Sequence, residues 1–445
     1  MQTRRDHLQA YQFATGRLSS ALVSGDPGRG ESPLKRTALG TFLGACVVVL
    51  LCAGFGIYGL VSPGGNTSWR TAGTVVVEKE TGTRYLYTGG KLRPLRNWAS
   101  ALLIVGKGAP VTSVSRNSLG ATPHGAPVGI DGAPDSLPAA AGLLNGPWTR
   151  CLRPGVGDGQ VVDFAPDGTA AVPAGRQVLL SGPGGKRYLL WRGVPYPVPS
   201  LSVLVALGLD GDRAVAAPAD WLASLRSGTP LTAPMISGAG RPAGKVAGRP
   251  ARVGDLFTTA VAGGVHHYVL TAHGFTPVGA TAAALLAAKP GATPALRVSA
   301  QDLAAVPEAA SGLPADPLPD VLDAPQAALG QRAVCLLQRS QGAKLTTRVV
   351  LEGGAAATGR SPVLVPALHG LVAVDRDQEL AQRSSPAAYL ITDQGIAYRV
   401  DDQASGQALG LGSAPATALP AGLLHDLPHG PGLGIGAARA TVGGS

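Results

Sequence analysis

Residues 38–61 read ALGTFLGACVVVLLCAGFGIYGLV, 24 positions without a charged side chain. At 1.5 Å rise per residue this stretch reaches about 36 Å, enough to cross a hydrocarbon layer of about 30 Å with some tilt. Lipid offers no partner for a free backbone N–H or C=O, so the stretch has to be a helix. A cleavable signal has an apolar core of about 7–15 residues and a short basic leader. Here 37 residues precede a longer core, which predicts an uncleaved single span. The only later apolar stretch of note, residues 201–209, is far too short to cross. Gly40 and Gly44 have the small-xxx-small spacing that permits close helix pairing. Tyr58 and Trp69 are expected at the outer interface, where aromatic rings settle.

The flanks give an orientation. Arg4, Arg5, Arg17, Arg29, Lys35 and Arg36 precede the span, and no positive charge follows it until Arg70. The positive-inside rule then predicts a cytoplasmic N-terminus, with about 380 residues beyond the membrane. Leu8, Tyr11, Thr15, Leu18 and Leu22 share one face of a predicted cytoplasmic helix, suited to docking on a partner protein or on anionic lipid.

Of the four cysteines, Cys46 and Cys52 lie within the span and read as small apolar residues. Cys151 and Cys335 lie in the exported part, where two thiols in an oxidising compartment are expected to pair. No CxxC or Cys/His cluster surrounds either one, which argues against a zinc site.

Gly and Pro number 63 and 37, well above the roughly 12% share of average chains. That favours many turns and short elements and excludes a coiled coil or a helical bundle. The glycines have no three-residue period, so a collagen helix is excluded. Positive mean hydropathy speaks against extended disorder. The formal charge is +10, but the basic residues are scattered singly, as at Arg116, Arg153, Arg213 and Arg252. A nucleic-acid surface would need a dense basic patch with interleaved aromatics, so no nucleic-acid partner is expected.

The outer region repeats a pattern of strand, Gly turn and strand. The four segments are RYLYTGGKLRPL at 84–95, RYLLWRGVPYPV at 187–198, HYVLTAHGFTPV at 267–278 and AYLITDQGIAYRV at 388–400. Each carries Tyr at its second position and reads as a hairpin. A short helix is predicted after each, at 97–105, 201–207, 280–288 and 403–411. The tyrosines are 103, 80 and 121 residues apart, and each of the two longer gaps holds one outer cysteine. Those gaps are read as insertions that meet in a central sheet domain, with strands at 177–180, 333–337 and 346–351.

The resulting expectation is an α+β chain: an N-terminal cytoplasmic helix, one transmembrane helix, and an elongated extracytoplasmic region of four small β-rich repeats around a central β-sheet domain stapled by Cys151–Cys335. Its parts are a cytoplasmic helix and basic tail at 1–37, the span at 38–61 and a first repeat at 68–144. The first part of the central domain follows at 145–182, then repeats at 183–250 and 251–317. The second part of the central domain is at 318–385, a fourth repeat at 386–430 and a Gly-rich tail at 431–445.

Catalytic chemistry finds little support. A P-loop needs glycines five positions apart followed by Lys and Ser or Thr, so that backbone amides cradle phosphate. Gly240-Arg-Pro-Ala-Gly244-Lys245-Val246 has the wrong spacing and lacks the hydroxyl, as does Gly184-Gly185-Lys186-Arg187. His266, His267 and His273 lie in and beside a hairpin whose alternation separates them, and His425 and His429 lie in a Pro/Gly-rich stretch. Asp158, Asp163 and Asp167 flank turns, where Asx turns account for them. No Gly-x-Ser-x-Gly elbow is present. No catalytic residue, metal ligand or cofactor-binding residue is assigned.

The N-terminal residues Gln9, Tyr11-Gln12-Phe13, Arg17 and Ala21-Leu22, then Pro33, Arg36 and the span ending in Gly54-Phe-Gly-Ile-Tyr-Gly59, resemble the EccB family. EccB is a membrane component of the actinobacterial type VII (ESX-type) secretion system. The likeness continues through the four repeats and the two outer cysteines and departs in the Gly/Pro-rich stretch after Leu427. It implies a structural role in a translocation complex of the cell membrane, with EccC, EccD, EccE and the mycosin protease as partners and a homodimer formed through the outer region. It implies ATP only through the ATPase label that some members carry. A cell-wall-binding anchor is the alternative.

Overall fold

A computed structural model of the chain describes residues 4–25, 35–61, 67–153, 159–261, 263–309, 318–342, 344–353, 361–381 and 386–440. It forms two compact units, Met1–Arg93 with Pro110–Gly125, and Pro94–Ala109 with Ala126–Ser445.

In the first unit, helix Arg4–Ser24 carries Leu8, Tyr11, Leu18 and Leu22 fully in the open. Phe13 is equally exposed. Two positions from both Tyr11 and Thr15, it stands about 200° round the helix from each, so the apolar residues are not confined to one face. Helix Lys35–Val61 contains the apolar window Ala38–Gly59, none of it covered by protein, as a helix meant for lipid requires.

The rest of this unit is a sheet of strands Thr74–Glu78, Arg84–Thr88, Lys91–Pro94 and Val111–Val114, in the order third, second, first, fourth. Its core is Trp69, Val76, Leu92, Val114 and Leu119. Trp69 therefore departs from its expected place at the membrane interface. It is fully buried and packs edge-on against Tyr87 with ring centroids 5.2 Å apart, because Val76, Leu92, Val114 and Leu119 close round the indole.

The second unit holds three more sheets in the same order. One has strands Gln177–Ser181, Arg187–Trp191, Val194–Val198 and Val215–Ala216. The next has Leu256–Val261, Gly264–Thr271, Gly274–Val278 and Leu296–Arg297. The last has Gly370–Asp375, Ala388–Thr392, Ala397–Val400 and Ala416–Leu419. In each, three strands run as an antiparallel meander, a helix follows, and the fourth strand returns parallel to the first. The parallel return needs a crossover, which the helix supplies.

A six-stranded sheet completes this unit, in the order Val363–Leu364, Gln160–Asp163, Trp148–Leu152, Ala333–Gln341, Lys344–Glu352, Ala170–Ala171. Strand alternation sends Trp148, Arg150 and Leu152 to one face and Thr149 and Cys151 to the other. On the first face, Leu152, Val334, Leu336 and Leu351 share a core with Val178, Leu180, Leu190 and Trp221 of the sheet that begins at Gln177. On that same face Trp148 and Val162 share a core with Leu371, Ala373, Ile391 and Leu419 of the last sheet. Two four-stranded sheets thus dock side by side on one face of the central sheet.

Several expected boundaries shift. Strand Gln177–Ser181 pairs with Arg187–Trp191 and not with the central sheet, and Gly370–Asp375 likewise joins Ala388–Thr392. Hairpin Pro242–Val246/Arg249–Arg252 packs Val246 and Ala251 against Phe257, Leu270 and Phe275, so it belongs with the sheet after it. Residues 318–327 leave the central sheet to join the core of Leu179, Leu189, Leu204 and Leu285 through Val321. Asp320 Oδ1 there accepts from Thr281 N at 3.0 Å, at the start of helix Ala280–Ala287.

Helix Trp98–Val105, the helix predicted at 97–105, belongs to the second unit. Ala99 and Leu103 pack into the core of Val372, Leu390, Val400 and Leu409. Asn97 caps it, its Oδ1 accepting from Ser100 N at 3.0 Å and its Nδ2 donating to Ile130 O at 2.6 Å. Residues 431–440 are not a tail outside the fold. Helix Ile435–Arg439 follows Leu433, and Leu433 and Ala438 are fully buried in that same core.

Candidate functional site

The strand WTRCL, Trp148–Leu152, is buried at every position. It runs beside Ala333–Gln341 with Cys151 directly opposite Cys335, and the two form the expected disulfide across a sequence separation of 184. Both cysteines are fully buried, packed with Val161, Ala333 and Val350. On the same strand pair Trp148 Nε1 donates to Gln338 Oε1 at 3.2 Å, which satisfies the indole donor inside the core.

Arg150 stands between the two docked sheets. It is almost wholly buried. Its Nη2 donates to Gln160 Oε1 at 2.9 Å and is ion-paired with Asp220, and its Nη1 donates to Ser224 Oγ at 3.1 Å. Asp220, Trp221 and Ser224 come from helix Ala219–Ala223 and its cap. Trp221 Nε1 donates to the carbonyl of Arg150 at 3.0 Å. Burial pulls the guanidinium below its usual value, and the Asp426 carboxylate, on the neighbouring helix Ala421–Asp426, works against that. A small cavity of about 180 Å³ opens beside it, lined by Arg150, Val162, Leu423, Asp426 and Leu427. One cation thus faces acids from two different sheets' helices, an arrangement that fixes both onto the central strand.

The other face of the central sheet holds Glu352, the last residue of strand Lys344–Glu352. Its Oε2 lies 3.3 Å from Cys151 Sγ. Burial pushes the carboxyl up to about 7; the Thr149 hydroxyl pulls it down, and the nearby Asp163 carboxyl pushes it further up. Asp163 belongs to a strand three places away in the sheet, so the sheet curls around this face. A cleft of about 600 Å³ lies there, lined by Asp163, Asp167, Glu352, Val363 and Asp393 among others.

The other candidates separate. Gly240 has a positive φ in a turn, and Gly244, Lys245 and Val246 lie within strand Pro242–Val246. Gly184 and Gly185 form the turn between two strands. His266 and His267 are neighbours on one strand, opposite Thr259 and Thr258, so they face apart. His429 contacts Leu424 O at 3.0 Å and the edge of Tyr389, while His425 is exposed. Asp163 Oδ1 accepts from Ala165 N at 2.8 Å in a turn. Asp158 lies outside the described residues. Among those residues, the one cluster of His, Cys, Asp or Glu close enough to share a metal ion is Cys151, Cys335 and Glu352, and two of its three members are bonded to each other.

Sequence reading missed Arg150, Asp220 and Glu352. An arginine between Trp148 and Leu152 in the WTRCL run was the available signal, since a strand charge flanked by buried residues needs a partner.

The family model for "Type VII secretion system ESX-1, transport TM domain B" matches residues 1–444. The chain is 27% identical to the ESX-5 secretion system ATPase EccB5 of Mycobacterium marinum, over 96% of this chain and 91% of that one. It is 27% identical to the ESX-1 secretion system ATPase EccB1 of Mycobacterium tuberculosis, over 98% and 94%. In fold it is similar to a chain of an intact ESX-5 inner membrane complex, at 23% identity and TM-score 0.55, covering 100% of this chain and 96% of that one. A second likeness is to a chain of the periplasmic assembly of the ESX-5 complex, at 23% identity and TM-score 0.59, over 87% and 99%. A third is to the EccB3 dimer of the ESX-3 core complex, at 22% and 0.52, over 82% and 100%.

Proposed function

The chain belongs to the EccB family of type VII secretion, and from that premise we propose that it is a structural core component of a secretion complex in the cell membrane, building part of the machine outside the cytoplasm. The match of the family model along residues 1–444 carries this reading. The geometry supports it: two sheets locked onto one face of a disulfide-linked third make a stiff framework. The exposed apolar helix Ala38–Gly59 would anchor that framework. The basic residues before the helix would keep the N-terminus in the cytoplasm.

The domain plan proposed is four sheet repeats around a central sheet, amended by the shifted boundaries above. The proposed assembly is a homodimer in company with EccC, EccD, EccE and the mycosin protease; the relative solved from the ESX-3 core complex is itself a dimer. The test is purification of the full chain from membranes, with its partners identified by mass, alongside deletion of its gene. Co-purified secretion components and lost substrate export are expected. A monomer without partners, with export intact, would remove the reading.

The names of the relatives, which call them ATPases, carry a second reading, ATP hydrolysis. A turnover assay on the full chain, freed of its partners, decides it.

A further inference from the structure

The two sulfurs of the buried disulfide have different neighbours. Cys335 Sγ lies 3.5 Å from the carbonyl oxygen of Ala333, which can neither take nor give a proton usefully. Cys151 Sγ lies 3.3 Å from Glu352 Oε2. Glu352 is itself buried, yet it lines the cleft shared with Asp163, Asp167 and Asp393. A carboxyl that lines the cleft therefore touches one sulfur of the bond, Cys151 Sγ, and lies within 4.8 Å of the other.

We propose that Glu352 is the proton acceptor and donor for closing and opening the Cys151–Cys335 bond, with an external disulfide or dithiol as its reaction partner. Closure proceeds in two exchanges. The Glu352 carboxylate takes the proton of the Cys151 thiol, and the Cys151 electron pair attacks an external disulfide RSSR, forming a mixed disulfide with one RS group and releasing the other as RS⁻, which the Glu352 carboxylic acid protonates. Cys335, as thiolate after losing its proton to water, then attacks Cys151 Sγ, the bond to the remaining RS group breaks, and RS⁻ leaves, to be protonated by water. The protein loses two electrons and the external disulfide gains them. Opening is the reverse, with the carboxylic acid protonating Cys151 as it leaves. Only the thiolate is nucleophilic, so a base at this distance controls the rate.

The groups facing Glu352 set its working range. Asp163 and the Thr149 hydroxyl act on it directly, and Asp167 and Asp393 line the same cleft. Its raised value, about 7, suits a group that both takes and gives a proton near neutrality.

The test uses the full chain in detergent with Cys46→Ala and Cys52→Ala, which removes the two free thiols. The protein is reduced with dithiothreitol and closed with glutathione disulfide between pH 5.5 and 8.5, and closure is read by alkylation and mass. In the parent, the rate should rise through an inflection near pH 7. Glu352→Gln should close at least about tenfold more slowly at pH 7 and lack that inflection. Closure at the parental rate, or slowing by one factor at every pH, would overturn the proposal. Should E352Q fail to fold by circular dichroism, Asp163→Asn decides. Losing the Asp163 charge should move the inflection to lower pH, and an unmoved inflection overturns the proposal.

Discussion

Cys151 and Cys335 are register partners on neighbouring antiparallel strands, so the disulfide crosses the seam where two distant parts of the chain meet in one sheet. Neither part can complete the central sheet alone. The bond removes from the unfolded ensemble a loop of 184 residues, which the chain-entropy account values at about 5 kcal/mol. Replacing both cysteines by Ser should lower the denaturant midpoint of the outer region markedly. Wild type in reductant should approach the variant's midpoint. Matching midpoints for variant and oxidised wild type would show that the seam holds without the bond.

Arg150 is the second tie. Substituting Arg150→Met leaves Asp220 and Asp426 without their shared cation and removes one hydrogen bond each from the Gln160 and Ser224 side chains, which keep their bonds to Asp220. The penalty for removing one member of an ion pair falls on the charge left behind, and reaches about 3–5 kcal/mol only where that charge is buried. Arg150 is buried and Asp220 is nearly half exposed, so Asp220→Asn, which strands the guanidinium, should cost more than Arg150→Met, after which water can reach the carboxylate. The double variant should cost less than the two singles added together. Thermal unfolding of the four proteins measures this, and strict additivity would mean the pair is not coupled.

The local elements were legible, and so was one long-range link, the Cys151–Cys335 seam of the central sheet; the other long-range pairings were not. The Gly turns after Tyr85, Tyr188, Tyr268 and Tyr389 announced hairpins, because alternation and turn chemistry act within a few residues. The apolar run 38–61 announced a helix for the same reason. Strand Gln177–Ser181 has a composition that suits any buried sheet, and only its pairing with Arg187–Trp191 decides which one it joins. Helix Trp98–Val105 could be read as a helix, but its choice of Leu390 and Leu433 as neighbours depends on packing about 300 residues along the chain. Glu352 was silent because nothing near it in sequence carries the disulfide it touches.

Gly274 tests close approach. It sits at φ +124, and an added Cβ would overlap the carbonyl oxygen of Pro307. That carbonyl accepts from Phe275 N at 2.9 Å, covering the outer edge of the sheet. Gly274→Ala should therefore destabilise this sheet by a few kcal/mol, through both strain and the lost edge bond. Hydrogen exchange should show faster exchange at Phe275 than at Leu390, which lies in another sheet. Unchanged exchange at Phe275 would contradict the argument.

Glu78 gives an acid-side prediction for the first unit. Arg116 Nε donates to its Oε1 at 2.9 Å, and this bond, aided by Thr81, holds the Glu78 carboxyl below its usual value of 4.5. A depressed folded value means stability that is present above about pH 4.5 and is lost as pH falls through the folded value. Glu78→Gln should flatten the acid limb of the unfolding curve of the sheet holding Trp69. Trp69 fluorescence follows that sheet, provided the other four tryptophans are replaced by Phe. An acid limb as steep as wild type would assign it to other carboxylates.

Glu352 has the opposite sign. Its folded value is raised to about 7 against 4.5 for an ordinary glutamate, so the folded state holds a proton that the unfolded state gives up between those values. Stability therefore falls as pH rises from about 4.5 to about 7, and above that the full cost remains, up to about 3 kcal/mol. Glu352→Gln keeps a neutral side chain of the same shape at every pH. With the disulfide intact, it should match wild type near pH 4.5 and exceed it at pH 8. Denaturant unfolding at the two pH values measures the difference. A variant weaker than wild type at pH 8 would show that the ionised carboxylate is held by partners strong enough to reverse the effect of burial.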